Sequence, residues 1–445
     1  MPQRQPISIA AFTATSCLGR GIAPLRKALA TQTSGLAPCR FLGIDFDTWA
    51  GEAAGLDDPA LAMAFGRANG HPNGRPEDRP HGRPDDRSHD HSDGRAYGRF
   101  EDRFDHRFDC RNNRLALIGL QQDGFEQRVR AAAERHGPGR IGVFLGSSTS
   151  GLLSTELAYR ERTSIDAPLP AWLDYAGTHN MYSLAAFVRQ HFGLAGPTGV
   201  LSVACASSAK VFATAARALA AGLVDAAIVG GVDTLCLTTL YGFGSLELLS
   251  KQPCRPYDAA RDGISLGEAA AFVLLERANA GTTGTSSTSG GLWLVGWGET
   301  SDAHHMSSPH PQGAGAGQAM RDALEIAGLA PAQIDYVNLH GTATPSNDAA
   351  EDAAVFELFG DGVPVSSTKG LHGHALGAAG GLEAVVALLG LEDGLRPAGG
   401  PWADPDPALR SASQRENRRA PLRRIMSNSF GFGGANCALV FARQP

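Results

Sequence analysis

Short apolar runs alternate along this chain with Ala-rich stretches of helical period, and the joints between them are built from Gly, Ser and Thr. Ile141-Gly142-Val143-Phe144-Leu145 and Ala226-Ala227-Ile228-Val229-Gly230 are continuously apolar, which predicts buried strands of a mainly parallel sheet. Ile7 to Phe12 and Gly199 to Val203 predict two further strands. Behind the latter, Ala209, Val211, Phe212, Ala215, Leu219 and Leu223 recur at roughly 3.6-residue spacing, which predicts a helix. The arrangement of strand, small-residue loop and Ala-rich helix returns once more, around His374 to Leu389.

One stretch breaks the pattern. From Arg67 to Arg111 every fourth residue is Arg or His, with Gly, Pro, Asp and Glu between and few apolar side chains. Residues 66–108 hold nine Arg against nine Asp plus Glu, so the segment is nearly neutral. Such a composition cannot bury enough surface to repay ordering, and 66–110 reads as a disordered surface insertion. A partner-binding arm, or a metal site on His71, His81, His89, His91 and His106, are the alternatives. Gly281 to Gly291, rich in Thr and Ser, reads as a second flexible connection.

Candidate chemistry sits at the joints. Cys205 lies in Val203-Ala204-Cys205-Ala206-Ser207-Ser208-Ala209-Lys210, on a tight turn from strand to helix. A sulfur at the positive end of a helix is placed where the dipole and free amides favour thiolate over thiol. A small buried hydrophobe is the other reading of a free cysteine. Two histidines in small-residue loops bear on that choice: His340 in Val337-Asn338-Leu339-His340-Gly341-Thr342-Ala343-Thr344-Pro345, and His374 in the glycine-punctuated segment Ser367 to Gly380. The segment Asn428 to Asn436 is too glycine-rich to be a packed element, yet it carries Phe430 and Phe432 and reads as an active-site wall.

In this order the motifs resemble a β-ketoacyl-acyl carrier protein synthase of the elongating, Cys-His-His kind, within the thiolase-like superfamily, from about Pro6 to Phe441. The segments Arg255 to Asp258 and Arg261 to Glu268 are also similar to that family. The resemblance implies an α/β thiolase-like fold, a layered α-β-α-β-α sandwich of two similar halves, here 1–280 and 281–445. It implies Cys205 as the acylated nucleophile, His340 and His374 as the two catalytic imidazoles, Lys369 and Glu351 as an orienting ion pair, and Phe432 as a gating side chain. The backbone N–H groups of Cys205 and Phe432 would form the oxyanion hole. Thr342, Thr344 and Ser307 stand where the family contacts the phosphopantetheine arm, with Phe430 in the same wall. As turn hydroxyls, Thr342 and Thr344 are equally suited to bonding local backbone. Ser148 and Thr149 stand where elongases line the acyl pocket with apolar side chains; this less greasy floor gives a faint resemblance to accessory synthases of polyene-pigment pathways.

The implied reaction loads an acyl group onto Cys205 and condenses it with malonyl-carrier protein, with loss of carbon dioxide. Histidine at 374 separates the chain from Cys-His-Asn initiators, and Cys205 separates it from chain-length-factor subunits, which lack the nucleophile. A malonyl-carrier-protein decarboxylase that primes chains, and a non-catalytic partner of another synthase, remain as alternatives. The resemblance further implies acyl carrier protein as partner, a homodimer or a heterodimer with a second synthase-like chain, and no cofactor beyond the phosphopantetheine that the carrier brings.

Composition narrows the classes. At 445 residues the chain can bury a large core, and its net charge of −6 gives no basic footprint for nucleic acid. No apolar run approaches the ~20 residues of a membrane span. The N-terminus shows no signal-like apolar stretch before Ile7. Seven scattered cysteines without a CxxC pair predict a reducing cytoplasm and no structural metal.

Overall fold

The computed structural model describes residues 7–65, 105–277, 291–400 and 404–444. The expected division at 280/281, residues 281–290 of the Gly/Thr/Ser connection and the repeat at 66–104 lie outside the described residues.

Ten strands form one hydrogen-bonded sheet. From the centre towards one edge run Ile7–Ser16, Ala269–Arg277, Ala226–Asp233, Ile141–Gly146 and Thr198–Leu201. From the centre towards the other run Trp293–Ser301, Ala435–Ala442, Arg424–Gly431, Tyr336–Asn338 and Val365–Ser366. Numbered by appearance in the chain, each set of five reads first, fifth, fourth, second, third from the seam outwards. The pairing repeats as well: antiparallel, antiparallel, parallel, parallel in both sets. In the sheet the two sets pair through Ile7 and Ser8 against Leu294 and Trp293, next to a hydrogen bond from the Ile9 amide to the Leu292 carbonyl oxygen. This is the duplicated, thiolase-like α/β fold.

Two helices fill the space between the halves. Ser207–Ala220 packs on Ile141–Gly146 and Ala226–Asp233 and also reaches Ala435–Ala442 of the other half. Ala379–Asp393 packs on Arg424–Gly431 and on Ala269–Arg277, and the two helices touch each other. A helix pressed on all sides must be apolar all round, and every residue from Ala379 to Leu391 is buried. Close approach needs small residues at the crossing: a Cβ on Gly380 would lie 2.7 Å from the Ala209 Cβ. Helices Arg111–Leu120 and Ser183–Phe192 cover the outer face of one half, and Ala314–Ala327 with Pro345–Phe359 that of the other. Layers of helix, sheet, helix, sheet and helix result.

The expected insertion ends earlier than residue 110. His106–Phe108 is a short helical turn, Cys110 is buried, and Asp109 makes a two-pronged ion pair with Arg114. Arg111, the last of the four-residue series, grips the buried Glu268 carboxylate with two hydrogen bonds. Local repeat composition hides these partners, because Arg114 and Glu268 lie beyond the repeat.

Candidate active site

The strand Thr198–Leu201 ends one turn before Cys205, and Ala204 takes the left-handed conformation at φ 53° to make the reversal. A non-glycine residue there carries strain of order 1 kcal/mol, and such strain gathers at functional turns. The Ser207 hydroxyl accepts from the Val203 amide at 2.9 Å and pins the turn to the helix start. Cys205 is thereby buried with its sulfur 2.9 Å from His374 Nε2. The His340 ring stands 5.3 Å from the His374 ring, edge to face. The sulfur and one nitrogen of each imidazole lie within 4.8 Å of one another, a set that could also take a thiophilic cation.

Charge around this triad differs from expectation at two points. Burial pushes the Cys205 thiol up to about 12, against the pull of the Lys369 charge. The helix N-terminus therefore does not leave a free thiolate here, and the thiol needs an acceptor for its proton. Lys369 does not pair with Glu351. Its ammonium contacts Glu383 and the His340 carbonyl oxygen, and faces His340 Nδ1 at 3.5 Å. Glu351 instead accepts from the His340 and Gly341 amides at 2.8 and 2.7 Å and from Asn428 Nδ2 at 3.2 Å. The reason is topological: Glu383 rides the central helix directly behind His374, whereas Glu351 rides the outer helix behind the His340 loop. Glu383 is a residue that motif reading missed. A lone carboxylate in the apolar run Ala379 to Leu391 was its signal.

Both imidazoles are held neutral. Burial, then the Lys369 charge, brings His340 and His374 well below the usual histidine range, with His374 adding to the shift of His340 and His372 to that of His374. The ammonium opposite Nδ1 of His340 makes that nitrogen the acceptor and leaves the proton on Nε2. No partner meets His374 Nδ1 among the described residues, so its tautomer is free to change.

A cleft leads from the surface to these groups, lined by Cys205, His340, His374, Thr342, Thr344, Ser307, Phe430 and Phe432 with Phe243. The Thr342 and Thr344 hydroxyls lie 3.0 Å apart, and Thr344 also caps the helix Pro345–Phe359. Ser307 lies 3.4 Å from His305 Nδ1. Phe430 is buried 6.0 Å from the His340 ring, while Phe432 is half-exposed and stacks obliquely on Phe243 at 5.6 Å. The Phe432 backbone N–H lies close enough to the Cys205 sulfur to oppose the upward shift of its thiol. At Gly431 a Cβ would come within 3.1 Å of the Cys205 amide nitrogen and close the space over that donor. Ser148 and Thr149 are not among the residues lining this cleft; both amides and the Thr149 hydroxyl donate to a buried carboxylate, Asp233, which motif reading also missed, and the Ser148 hydroxyl donates to the Ala204 carbonyl oxygen.

Comparison with known proteins agrees with this geometry. Residues 70–280 match the model of the beta-ketoacyl synthase N-terminal domain, and residues 293–399 that of the C-terminal domain. A curated relative, 3-oxoacyl-acyl-carrier-protein synthase 2 of Coxiella burnetii, is 34% identical over 316 residues, covering 68% of this chain and 75% of the relative. Among solved structures, a ketosynthase of Xenorhabdus doucetiae in complex with its chain length factor superposes with a TM-score of 0.78 at 32% identity, over 99% of each chain. A beta-ketoacyl synthase of Burkholderia phymatum gives a TM-score of 0.78 at 25% identity, over 99% of this chain and 100% of that one.

Proposed function

The chain belongs to the beta-ketoacyl synthase family, and from that premise we propose how its residues carry out the reaction. It is an acyltransferase that extends a carrier-bound acyl chain by decarboxylative condensation with a malonyl thioester, in fatty-acid or polyketide synthesis. The observation that carries the assignment of roles is the 2.9 Å contact between Cys205 Sγ and His374 Nε2, with His340 facing the same space.

In the first half-reaction the Cys205 sulfur attacks the acyl thioester carbonyl while its proton passes to His374 Nε2. The Cys205 and Phe432 amides receive the oxyanion, and donors so placed contribute ~3 kcal/mol or more. Collapse expels the carrier thiolate, which takes the proton from His374. In the second half-reaction the malonyl thioester loses carbon dioxide, and the enolate oxygen accepts from Nε2–H of His340 and of His374, now in its other tautomer. The enolate carbon attacks the acyl carbonyl, the bond to Cys205 breaks, and the departing thiolate takes a proton from solvent, which restores the thiol. Lys369 fixes the His340 tautomer, Glu383 holds Lys369, and Glu351 shapes the His340 turn. No resident cofactor enters: phosphopantetheine arrives on the carrier protein, with Thr342, Thr344 and Ser307 along its path.

A second synthase-like chain completes the molecule in this reading, either another copy or a chain-length-factor-like partner. Support comes from large apolar side chains left exposed along residues 159–182, with Ile165 at 83% and Tyr175 at 67% exposure and Tyr159 and Tyr182 exposed as well. The seven free cysteines support a reducing compartment such as the cytoplasm. Among the described residues no helix is long and apolar enough to cross a membrane.

Intact-mass analysis with acyl-carrier protein and then malonyl-carrier protein tests the reading. The expected result is an acyl adduct on wild type and none on Cys205→Ala, followed by a carrier-bound 3-oxo product two carbons longer. Panels of saturated and polyene acyl groups distinguish the pathways. A folded protein that forms no adduct with any acyl group, or a product output unaffected by Cys205→Ala, would move it to the partner-subunit role.

A further inference from the structure

Cys205, His340 and His374 meet the geometric demand of a metal site as well as that of a thiol with two imidazoles. Their three donor atoms lie within 4.8 Å of one another, on side chains that are all buried. Zinc bonds of about 2.3 Å to sulfur and about 2.1 Å to nitrogen, at tetrahedral angles, put the two donors ~3.6 Å apart. The 2.9 Å contact between Cys205 Sγ and His374 Nε2 would open by a fraction of an ångström to reach that value. The cleft touches all three residues and gives a cation its way in. Three protein donors with a fourth position open to water is the arrangement of catalytic zinc sites. A cation bound there would hold the sulfur electron pair that acyl transfer needs.

The surroundings of the two imidazoles work against such binding. A metal-ligating histidine donates its second ring N–H to a carboxylate, a carbonyl oxygen or water, which fixes the ring and raises its basicity. The second nitrogen of His340, Nδ1, instead faces the Lys369 ammonium at 3.5 Å. An ammonium has three donors and no acceptor, so it cannot receive an N–H. Coordination through Nε2 would send the His340 proton to Nδ1, against that ammonium, while the Cys205 proton leaves to solvent. His374 Nδ1 has no hydrogen-bond partner among the described residues either. Lys369 cannot swing aside: it is fully buried, and its ammonium is held by Glu383 and by the His340 carbonyl oxygen. Glu383 offsets part of its charge, but the carboxylate lies on the ammonium and offers nothing to either ring.

We propose that Cys205, His340 and His374 form a latent site for a thiophilic divalent cation such as zinc, and that Lys369 keeps it closed by placing a charged donor where His340 Nδ1 would need an acceptor. This gives Lys369 a task beyond fixing the His340 tautomer, namely keeping the sulfur free of metal. The inference rests on the geometry of four side chains and not on the condensation reaction.

Cobalt(II) is the probe, because it takes the ligands of zinc and shows a thiolate-to-metal absorption band in the near ultraviolet. It is titrated without oxygen into chelator-treated wild type, Lys369→Met and Lys369→Met/Glu383→Gln. Partners of the second ring nitrogen change metal affinity by ~10–100-fold. The expected result is cobalt binding at least ~10-fold tighter in Lys369→Met than in wild type, with the thiolate band and displacement by zinc. Adding Cys205→Ser to Lys369→Met should abolish the band, which assigns it to this sulfur among the seven cysteines. If Lys369→Met does not fold with Glu383 left unpaired, the variant Lys369→Met/Glu383→Gln, which leaves no unpaired charge of this pair, decides. Equal affinity in wild type and a folded lysine variant overturns the proposal, as does a folded lysine variant without the thiolate band. Wild type that forms no acyl adduct overturns the ketosynthase reading instead and leaves the cobalt comparison standing.

Discussion

Histidines and carboxylates buried around Cys205 shift in opposite senses, and the signs matter for acid stability. Burial, aided by the Lys369 charge, lowers His372 to about 3, while burial raises Glu351 and Glu383 to about 7. His372 is neutral in the fold, with Nδ1 against the Gly373 carbonyl oxygen at 2.8 Å and Nε2 against the Thr368 hydroxyl at 3.0 Å. The unfolded chain binds a proton at this residue first, so its contribution to stability is lost as pH falls below the unfolded value of ~6.5. The raised carboxylates act the other way: the fold holds their protons more tightly, so they lose stability as pH rises towards their folded values. A difference measurement isolates the histidine. Going from pH 7 to pH 5, wild type should lose up to ~2 kcal/mol more than His372→Gln, read by urea unfolding. Equal losses would mean that His372 is not held neutral.

At the scale of elements, the crossing of Ser207–Ala220 and Ala379–Asp393 decides whether Cys205 and His374 meet, since one helix follows Cys205 and the other follows His374. Gly380 stands at that crossing. In Gly380→Ala the new methyl would lie 2.7 Å from the Ala209 Cβ and 2.8 Å from the Ala209 backbone nitrogen. Helix propensity alone favours Ala over Gly by ~1 kcal/mol, whereas overpacking costs ~1–3 kcal/mol. Because one neighbour is backbone and cannot turn aside, overpacking should win. The expected outcome is a lower melting temperature together with slower acylation of Cys205 in single-turnover mass spectrometry. A variant that matches wild type in both would show that the helices do not need this closeness.

At the scale of the whole molecule, the four-residue repeat leaves and re-enters the fold at one place. Phe65 and Phe108 both pack on Phe187, with ring centroids 5.4 and 6.2 Å away. Replacing residues 66–104 by a short Gly/Ser linker should therefore keep the fold, since each halving of a flexible loop favours closure by only ~0.6 kcal/mol. Circular dichroism and acyl-adduct formation within error of wild type are the expected readings. Loss of the adduct with the fold intact would give the repeat a role at the site or with the carrier protein.

The turns at Cys205, His340 and His374 were legible because each is a local conformational demand, a small-residue turn or a glycine-punctuated helix entry; the segment Asn428 to Asn436 was not, since only Phe432–Gly434 is a turn and the residues on either side pair in two adjacent strands. The two-half fold was legible in outline for the same reason, since strand, loop and helix recur in order. Partnerships were not. Lys369 could be read as a cation near the histidines, but Glu351 and Glu383 both stood within reach in sequence terms, and only helix packing chose the second. Asp233, Ser148 and Thr149 meet across 84 or more positions, and no spacing encodes that contact. The protonation of Cys205 was likewise decided in three dimensions: the helix end that favours a thiolate is a local feature, while the burial that outweighs it comes from every segment packed around the sulfur. Sequence by itself determined which groups the site contains and the turns that present them. Tertiary structure decided which charges face one another, because desolvation and pairing depend on distances between segments far apart along the chain.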